Sequence, residues 1–139
     1  MQNRKAGIVI AVELENRTVR FFLGNMLFEF DKEKNRKNIE KHGVSFTTAA
    51  RIFFDDNRIE MYDEEHSIEE DRYNTIGDTS VGDPTAIRSP AALHDILFVV
   101  YTERETVSLK GKPIEITRLI SARLATNFER GLYYGKLDE

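Results

Sequence analysis

No cysteine occurs among the 139 residues. That excludes disulfides, a thiolate nucleophile and a zinc–thiolate site. No apolar run approaches the roughly 20 residues of a membrane-spanning helix. Gly7 to Val12 is too short for a signal-peptide core and runs into Glu13 and Glu15. A cytoplasmic protein is expected. Positive charge is not in excess either. The formal net charge is −4, which argues against indiscriminate coating of nucleic acid. No helix with clustered basic residues offers direct base reading in DNA. Histidine is scarce, at three residues. His66 and Asp63 have a metal-like spacing, but two ligands alone make a poor site, and His94 carries no argument. No metal and no other cofactor is expected.

The composition that remains, 40% hydrophobic and 32% charged, fits one soluble domain with a real core. Its charge is unevenly spread. Residues 55–78 hold ten acids against two arginines, a net of −8. Residues 97–136 hold seven bases against four acids, a net of +3, and residues 31–42 five against three, a net of +2. The acidic middle is a solvated face or a surface that covers or steers a basic partner.

Hydrophobic periodicity orders the chain. Residues 7–23 read as a β-hairpin, with strands at Ile8–Val12 and Thr18–Leu23 about a turn at Glu15-Asn16-Arg17. After Gly24-Asn25 comes a short strand, Met26–Phe30. Asp31 is a good N-cap for a helix over Lys32–His42, closed by Gly43 in the left-handed conformation. Ser45 caps a second helix, Phe46–Phe53, with Phe46, Ala49, Ala50 and Phe53 on one face. Arg58–Tyr62 and Arg72–Gly77 alternate as strands. Ser67-Ile-Glu-Glu70 matches a capping box and predicts one helical turn between them. Residues 78–95 read as a loop. Ile96–Thr102 is the strongest strand, a continuous apolar run suited to a central position. A turn at Lys110–Pro113 leads to the last strand, Ile114–Ala122. Thr126-Asn-Phe-Glu129 is a capping box for a final helix. Gly131 weakens that helix by roughly 1 kcal/mol relative to alanine, so packing of Phe128 and Leu132 is expected to hold it. This order predicts an α+β two-layer domain, an antiparallel sheet with helices mainly on one face.

The C-terminal stretch concentrates Arg118, Arg123, Arg130, Tyr133 and Tyr134 across a strand and a helix. Fixed cations and phenols there suit recognition of a phosphate ester without a metal.

Several motifs together resemble the BrnT toxin family. They are Phe28-Glu-Phe-Asp31, Lys34-Asn35, Asn38-Ile-Glu-Lys-His-Gly-Val-Ser-Phe46 with Ala49-Ala50, then Asp63-Glu-Glu-His66 and Glu70-Asp-Arg-Tyr-Asn-Thr-Ile-Gly77. The end is matched by Val99-Val-Tyr-Thr-Glu-Arg104, Arg118-Leu-Ile-Ser-Ala-Arg123, Ala125, Glu129-Arg130 and Tyr133-Tyr134. Each motif is weak alone, but their order is specific. The resemblance implies a RelE-like fold and a ribonuclease toxin that stops translation. It also implies a partner, a BrnA-like DNA-binding antitoxin, through which the toxin reaches operator DNA. Residues 1–25 precede the resemblance, as an N-terminal extension, either an extra β-hairpin or a reading frame opened too early. Residues 26–139 form the BrnT-like domain. The stretch around Thr79–Asp95 is longer than the resemblance leads one to expect.

Cleaving RNA without a metal requires the ribose 2′-OH to attack the neighbouring phosphorus, with a base, a cation and an acid at hand. Arg104 and Arg123, at strand ends, are the leading phosphate-binding candidates, with Arg72 and Arg118 behind them. Each also reads as a surface arginine paired with nearby glutamates. Lys41 and His42 are candidates for proton transfer, or simply satisfy the last carbonyls of their helix. One of Tyr133 and Tyr134 packs inward, and the other stacks on a base or donates a proton; Tyr133 is taken as the catalytic candidate. Against the endoribonuclease stands a non-enzymatic interaction protein that docks a partner through the same faces. A weaker third reading is an accessory nucleic-acid binder.

Overall fold

Twelve-residue strands β6 (Ile96–Val107) and β7 (Pro113–Leu124) form the hairpin at the middle of the molecule. The computed structural model describes residues 11–82 and 95–137. Residues 8–10 of the expected first strand, and residues 83–94 of the expected loop with His94, lie outside them. β1 (Ala11–Glu13) pairs antiparallel with β2 (Thr18–Leu23), and β2 with β3 (Met26–Asp31). Gly24, at φ +58°, opens the two-residue turn between β2 and β3, a backbone angle glycine adopts without cost. β4 (Ile59–Tyr62) pairs with β5 (Arg72–Asp78), and β5 with β6. Among the described residues these form one seven-stranded sheet, in the order β1-β2-β3-β7-β6-β5-β4.

The sheet is not wholly antiparallel. β3 and β7 run parallel, with Phe28 opposite Thr117 and Glu29 opposite Arg118. The chain leaves β3 through helices, builds the β4–β6 edge and returns as β7, and such a crossover is what parallel neighbours need.

Helix α1 (Lys32–His42) follows its sequence signals closely. Asp31 accepts from the backbone N–H groups of Glu33 and Lys34, and Gly43 ends the helix at φ 71°. Asn38 fastens α1 to the sheet: it donates to Val44 O and Ala122 O, both at 2.8 Å, and accepts from Ala122 N at 3.1 Å. Ser45 caps α2 (Phe46–Ala49), which tightens into a 3-10 turn over Ala50–Phe54. All four apolar residues expected on the inner face of this segment are buried. They meet an aromatic core in which Phe21 stacks on Phe28 and Phe53 stands edge-on to Tyr101, at 5.4 and 4.9 Å. Each such pair adds roughly 0.5–1.5 kcal/mol beyond the area it buries. Gly77 lets this layer approach β5, since a Cβ there would lie 3.0 Å from Ile52 Cβ.

Three expectations differ. Ser67–Glu70 forms bends, not a helical turn. Ser67 Oγ donates to Asp63 O and accepts from Arg72 N, closing the β4–β5 connection, while Ile68 is 87% exposed and gives a helix no core to meet. The second concerns α3 (Asn127–Leu137), capped reciprocally by Thr126 and Glu129 as its sequence predicts. It is not held by Phe128 and Leu132, which are exposed. Tyr133 is buried instead, in a cluster with Ile76 and Ile96 that also packs Ile59, Met61 and Phe98. The third is layering. Ile76 and Phe98 point away from Thr75 and Val99 by strand alternation, so α3 covers the face opposite α1 and α2. Beyond α3, no described element covers that second face.

Candidate active site

The open face carries one row of side chains across five strands. Arg20 on β2 stands opposite Glu29 on β3, Glu29 beside Arg118 on β7, Arg118 opposite Thr102 on β6, and Thr102 opposite Arg72 on β5. Cross-strand partners share a face, and the residues flanking this row, such as Phe21, Phe28 and Tyr101, point into the core. The row therefore lies on the face that, among the described residues, no helix but α3 covers.

Glu29 is the centre of the row. Its carboxylate is nearly inaccessible, yet it accepts from Arg20 Nε at 2.9 Å and Arg118 Nη1 at 2.9 Å, and lies 3.6 Å from Arg104 Nη1. Burial pushes the carboxyl pKa up, but the hydrogen bonds and charges of Arg20 and Arg118 outweigh it and hold the group below the usual carboxylate value. Three guanidiniums share one anion, so their N–H donors outnumber its acceptor sites. The same residues line a cavity of about 430 Å³ with Leu14, Glu15 and Thr18. An arginine set of this kind suits a phosphate, whose oxygens match the planar fork.

Arg104 is also gripped by Glu70, through Nε at 3.2 Å and Nη2 at 3.1 Å. Glu70 lines a second cavity, of about 310 Å³, with His66, Ile68, Glu69 and Arg72. The acidic middle segment thus reaches the arginine row at this glutamate. Arg72 and Arg104, from separate stretches of sequence, stand at neighbouring positions of one face.

Arg123 shares the face but stands apart. It lies opposite Phe98, four residues along β6 from Thr102, roughly 13 Å at strand rise. Its fork is filled by Glu129, at 2.7 and 2.9 Å, and its guanidinium lies 4.3 Å from the Phe98 ring centroid. The hydrogen bond from Arg123 holds the Glu129 carboxyl below its ordinary pKa. Tyr133 donates to Asp55 Oδ2 at 2.6 Å, and the same oxygen accepts from Asp78 N. Burial, then the Asp55 hydrogen bond, pushes the Tyr133 phenol well above its ordinary value. Tyr134 is exposed. Lys41 and His42 end α1, in the layer on the other face of the sheet. His66 Nδ1 sits 2.9 Å from Asp63 Oδ2, and among the described residues no three His, Cys, Asp or Glu side chains gather to hold a metal.

Sequence reasoning passed over Arg20, Glu29 and Glu70 as site residues. Glu29 left one trace, a charge between Phe28 and Phe30 in a strand, which also describes any solvated sheet face. Its link to Arg118 spans 89 residues and depends on a parallel pairing that local sequence does not announce.

Among the described residues no helix is long and apolar enough to cross a membrane. No curated protein matches this chain. A family model described as "Ribonuclease toxin, BrnT, of type II toxin-antitoxin system" matches residues 30–129. A ribonuclease toxin takes RNA as substrate, and a type II system supplies an antitoxin as partner. With 100 of its 139 residues inside that match, and an arginine-lined face of the kind a phosphate backbone requires, the chain belongs to the BrnT family of ribonuclease toxins.

Proposed function

We propose that this protein is a metal-independent endoribonuclease of RelE-like architecture that arrests translation. A BrnA-like DNA-binding antitoxin neutralises it and carries it to operator DNA. The observation that carries the reading is the set of three guanidiniums around buried Glu29 on the sheet face opposite α1 and α2. Residues 26–139 are taken as the toxin domain, in the cytoplasm, with residues 1–25 as an extension whose strands join the same sheet.

In this reading the scissile phosphate settles between Arg104 and Arg118, with Arg72 beside them. The 2′ oxygen gives up its proton to a base and attacks phosphorus, the P–O2′ bond forms, the P–O5′ bond breaks, and O5′ leaves with a proton taken from water. The negative charge gathering on the phosphoryl oxygens is met by guanidiniums fixed before the reaction starts. Glu29 keeps them fixed; saturated by arginine and held ionised, it is a poor proton acceptor. Glu70 is the better one. It is partly exposed and touches Arg104, and an incoming phosphate would displace it from that arginine beside the 2′-OH. A 2′-OH requirement makes RNA, not DNA, the substrate. Arg123 and Tyr133 are assigned to holding α3. Lys41 and His42 belong to the opposite face and take no step at the diester.

The test is cleavage of RNA by purified protein in excess EDTA. Activity persists, and Arg104→Met or Arg118→Met lowers it by about 10²–10³-fold, as for loss of one fixed donor to a developing oxyanion. EDTA-treated protein that leaves RNA intact, with both variants indistinguishable from wild type, overturns the reading. It would favour the alternative, a protein that docks its partner without turnover.

A further inference from the structure

One exposed aromatic on the open face has no part in holding the diester. Phe22 lies two residues beyond Arg20 on β2, so both point to the same side. Its neighbours Phe21 and Leu23 are 1% and 2% exposed, whereas Phe22 is 57% exposed. It stands opposite Leu27. Hydrogen-bonded register between β3 and β7 is confined to Phe28–Thr117 and Glu29–Arg118. Before Phe28 the two strands part, and a cleft of about 420 Å³ opens between them. Phe22, Leu27 and Ile116 supply its apolar wall, Asn25 brings hydrogen-bonding groups to it, and Glu103 and Glu115 line the side away from β2.

A cation and an aromatic about 7 Å apart along one strand match what single-stranded nucleic acid asks of a protein. The cation follows the backbone while the ring stacks a base. Arg20 lines the cavity of the arginine row and Phe22, two residues along β2, lines this cleft, so a chain whose phosphate lies on the row can run onto β2. Arg20, Phe22, Asn25 and Leu27 all precede residue 30, outside the span the family model matches.

We propose that β2 forms a nucleotide subsite for the RNA strand beside the cleavage point. Arg20 takes a backbone phosphate, Phe22 stacks the adjoining base, and Asn25 meets its edge. The strands before residue 30 then give this toxin a hold on RNA beyond the scissile diester. The inference rests on the ribonuclease reading, and its test separates the two.

The full chain is titrated, by fluorescence anisotropy, with mixed-sequence 2′-O-methyl dinucleotides and hexanucleotides, which cannot be cleaved. Wild type binds the hexanucleotide at least tenfold more tightly. Phe22→Ser lowers hexanucleotide affinity by about tenfold, within the range for one lost stacking contact, and leaves most of the dinucleotide affinity. Phe22→Tyr retains the length advantage. Arg20→Gln weakens hexanucleotide binding and lowers its salt slope by about one. The proposal is overturned if Phe22→Ser weakens both lengths equally, or neither, including the case in which that variant loses only the antitoxin. Binding and cleavage are scored separately. A length advantage without cleavage removes the ribonuclease reading alone, and cleavage without a length advantage removes the subsite alone.

Discussion

Glu29 accepts a hydrogen bond from Arg118 at 2.9 Å across a parallel strand pair, joining residues 89 apart in the chain. Breaking a buried pair leaves an uncompensated charge and costs about 3–5 kcal/mol. Arg20 is a third exposed, so the lower end applies. Glu29→Gln is expected to destabilise the fold by about 3 kcal/mol at neutral pH in urea titrations. Because the folded-state pKa lies below the ordinary value of 4.5, this contribution is complete above that value and is lost as pH falls through the folded pKa. Wild-type and variant midpoints should therefore converge as pH falls below about 4.5. A difference that stays constant with pH would refute the assignment.

Glu70 has two effects that a single variant separates. Glu70→Gln removes a negative charge from Arg104, so RNA affinity rises several-fold at low salt and the gain fades as screening increases. It also removes the proposed proton acceptor, so single-turnover cleavage falls by at least about 10²-fold. Faster cleavage together with tighter binding would leave Glu70 as a counterion only.

Arg123 and Arg104 are predicted to part company. Arg123→Met loses its Glu129 pair and the Phe98 contact. Being about one-third exposed, it costs only about 1 kcal/mol after screening. Its cleavage rate should fall no further than its folded fraction. Tyr133→Phe behaves likewise, losing about 1 kcal/mol with the Asp55 hydrogen bond. Thermal melts and rates measured on the same samples decide this. A large rate loss at full folding in either variant would return that residue to the catalytic set.

Asn38→Ala tests the junction of helix and sheet. It strands two carbonyls and one N–H that Asn38 now satisfies, at a cost of about 3 kcal/mol. Hydrogen exchange at the Ala122 amide should accelerate markedly. Unchanged protection there would show that the junction is held by packing alone.

Local chemistry was legible wherever neighbours in sequence are neighbours in space. Asp31, Gly43, Ser45 and the Thr126–Glu129 box cap their helices as their residue types require. Ser67-Ile-Glu-Glu70 has the same local pattern and no helix, because the β4–β5 connection claims its hydroxyl and Ile68 has no core beneath it. The arginines were visible as a set, but which of them converge was not. Arg104 and Arg118 meet at Glu29, while Arg123 is taken by Glu129, six residues away.

The amino-acid sequence by itself determined most element types, the helix caps, the inner face of the second helix and the family, because caps, alternation and motif order are short-range or additive signals. Only the tertiary structure decided that β3 lies parallel to β7, which residues share the open face and which carboxylate sits among the arginines. Those outcomes depend on register between distant strands, where a shift of one residue sends every side chain to the other face.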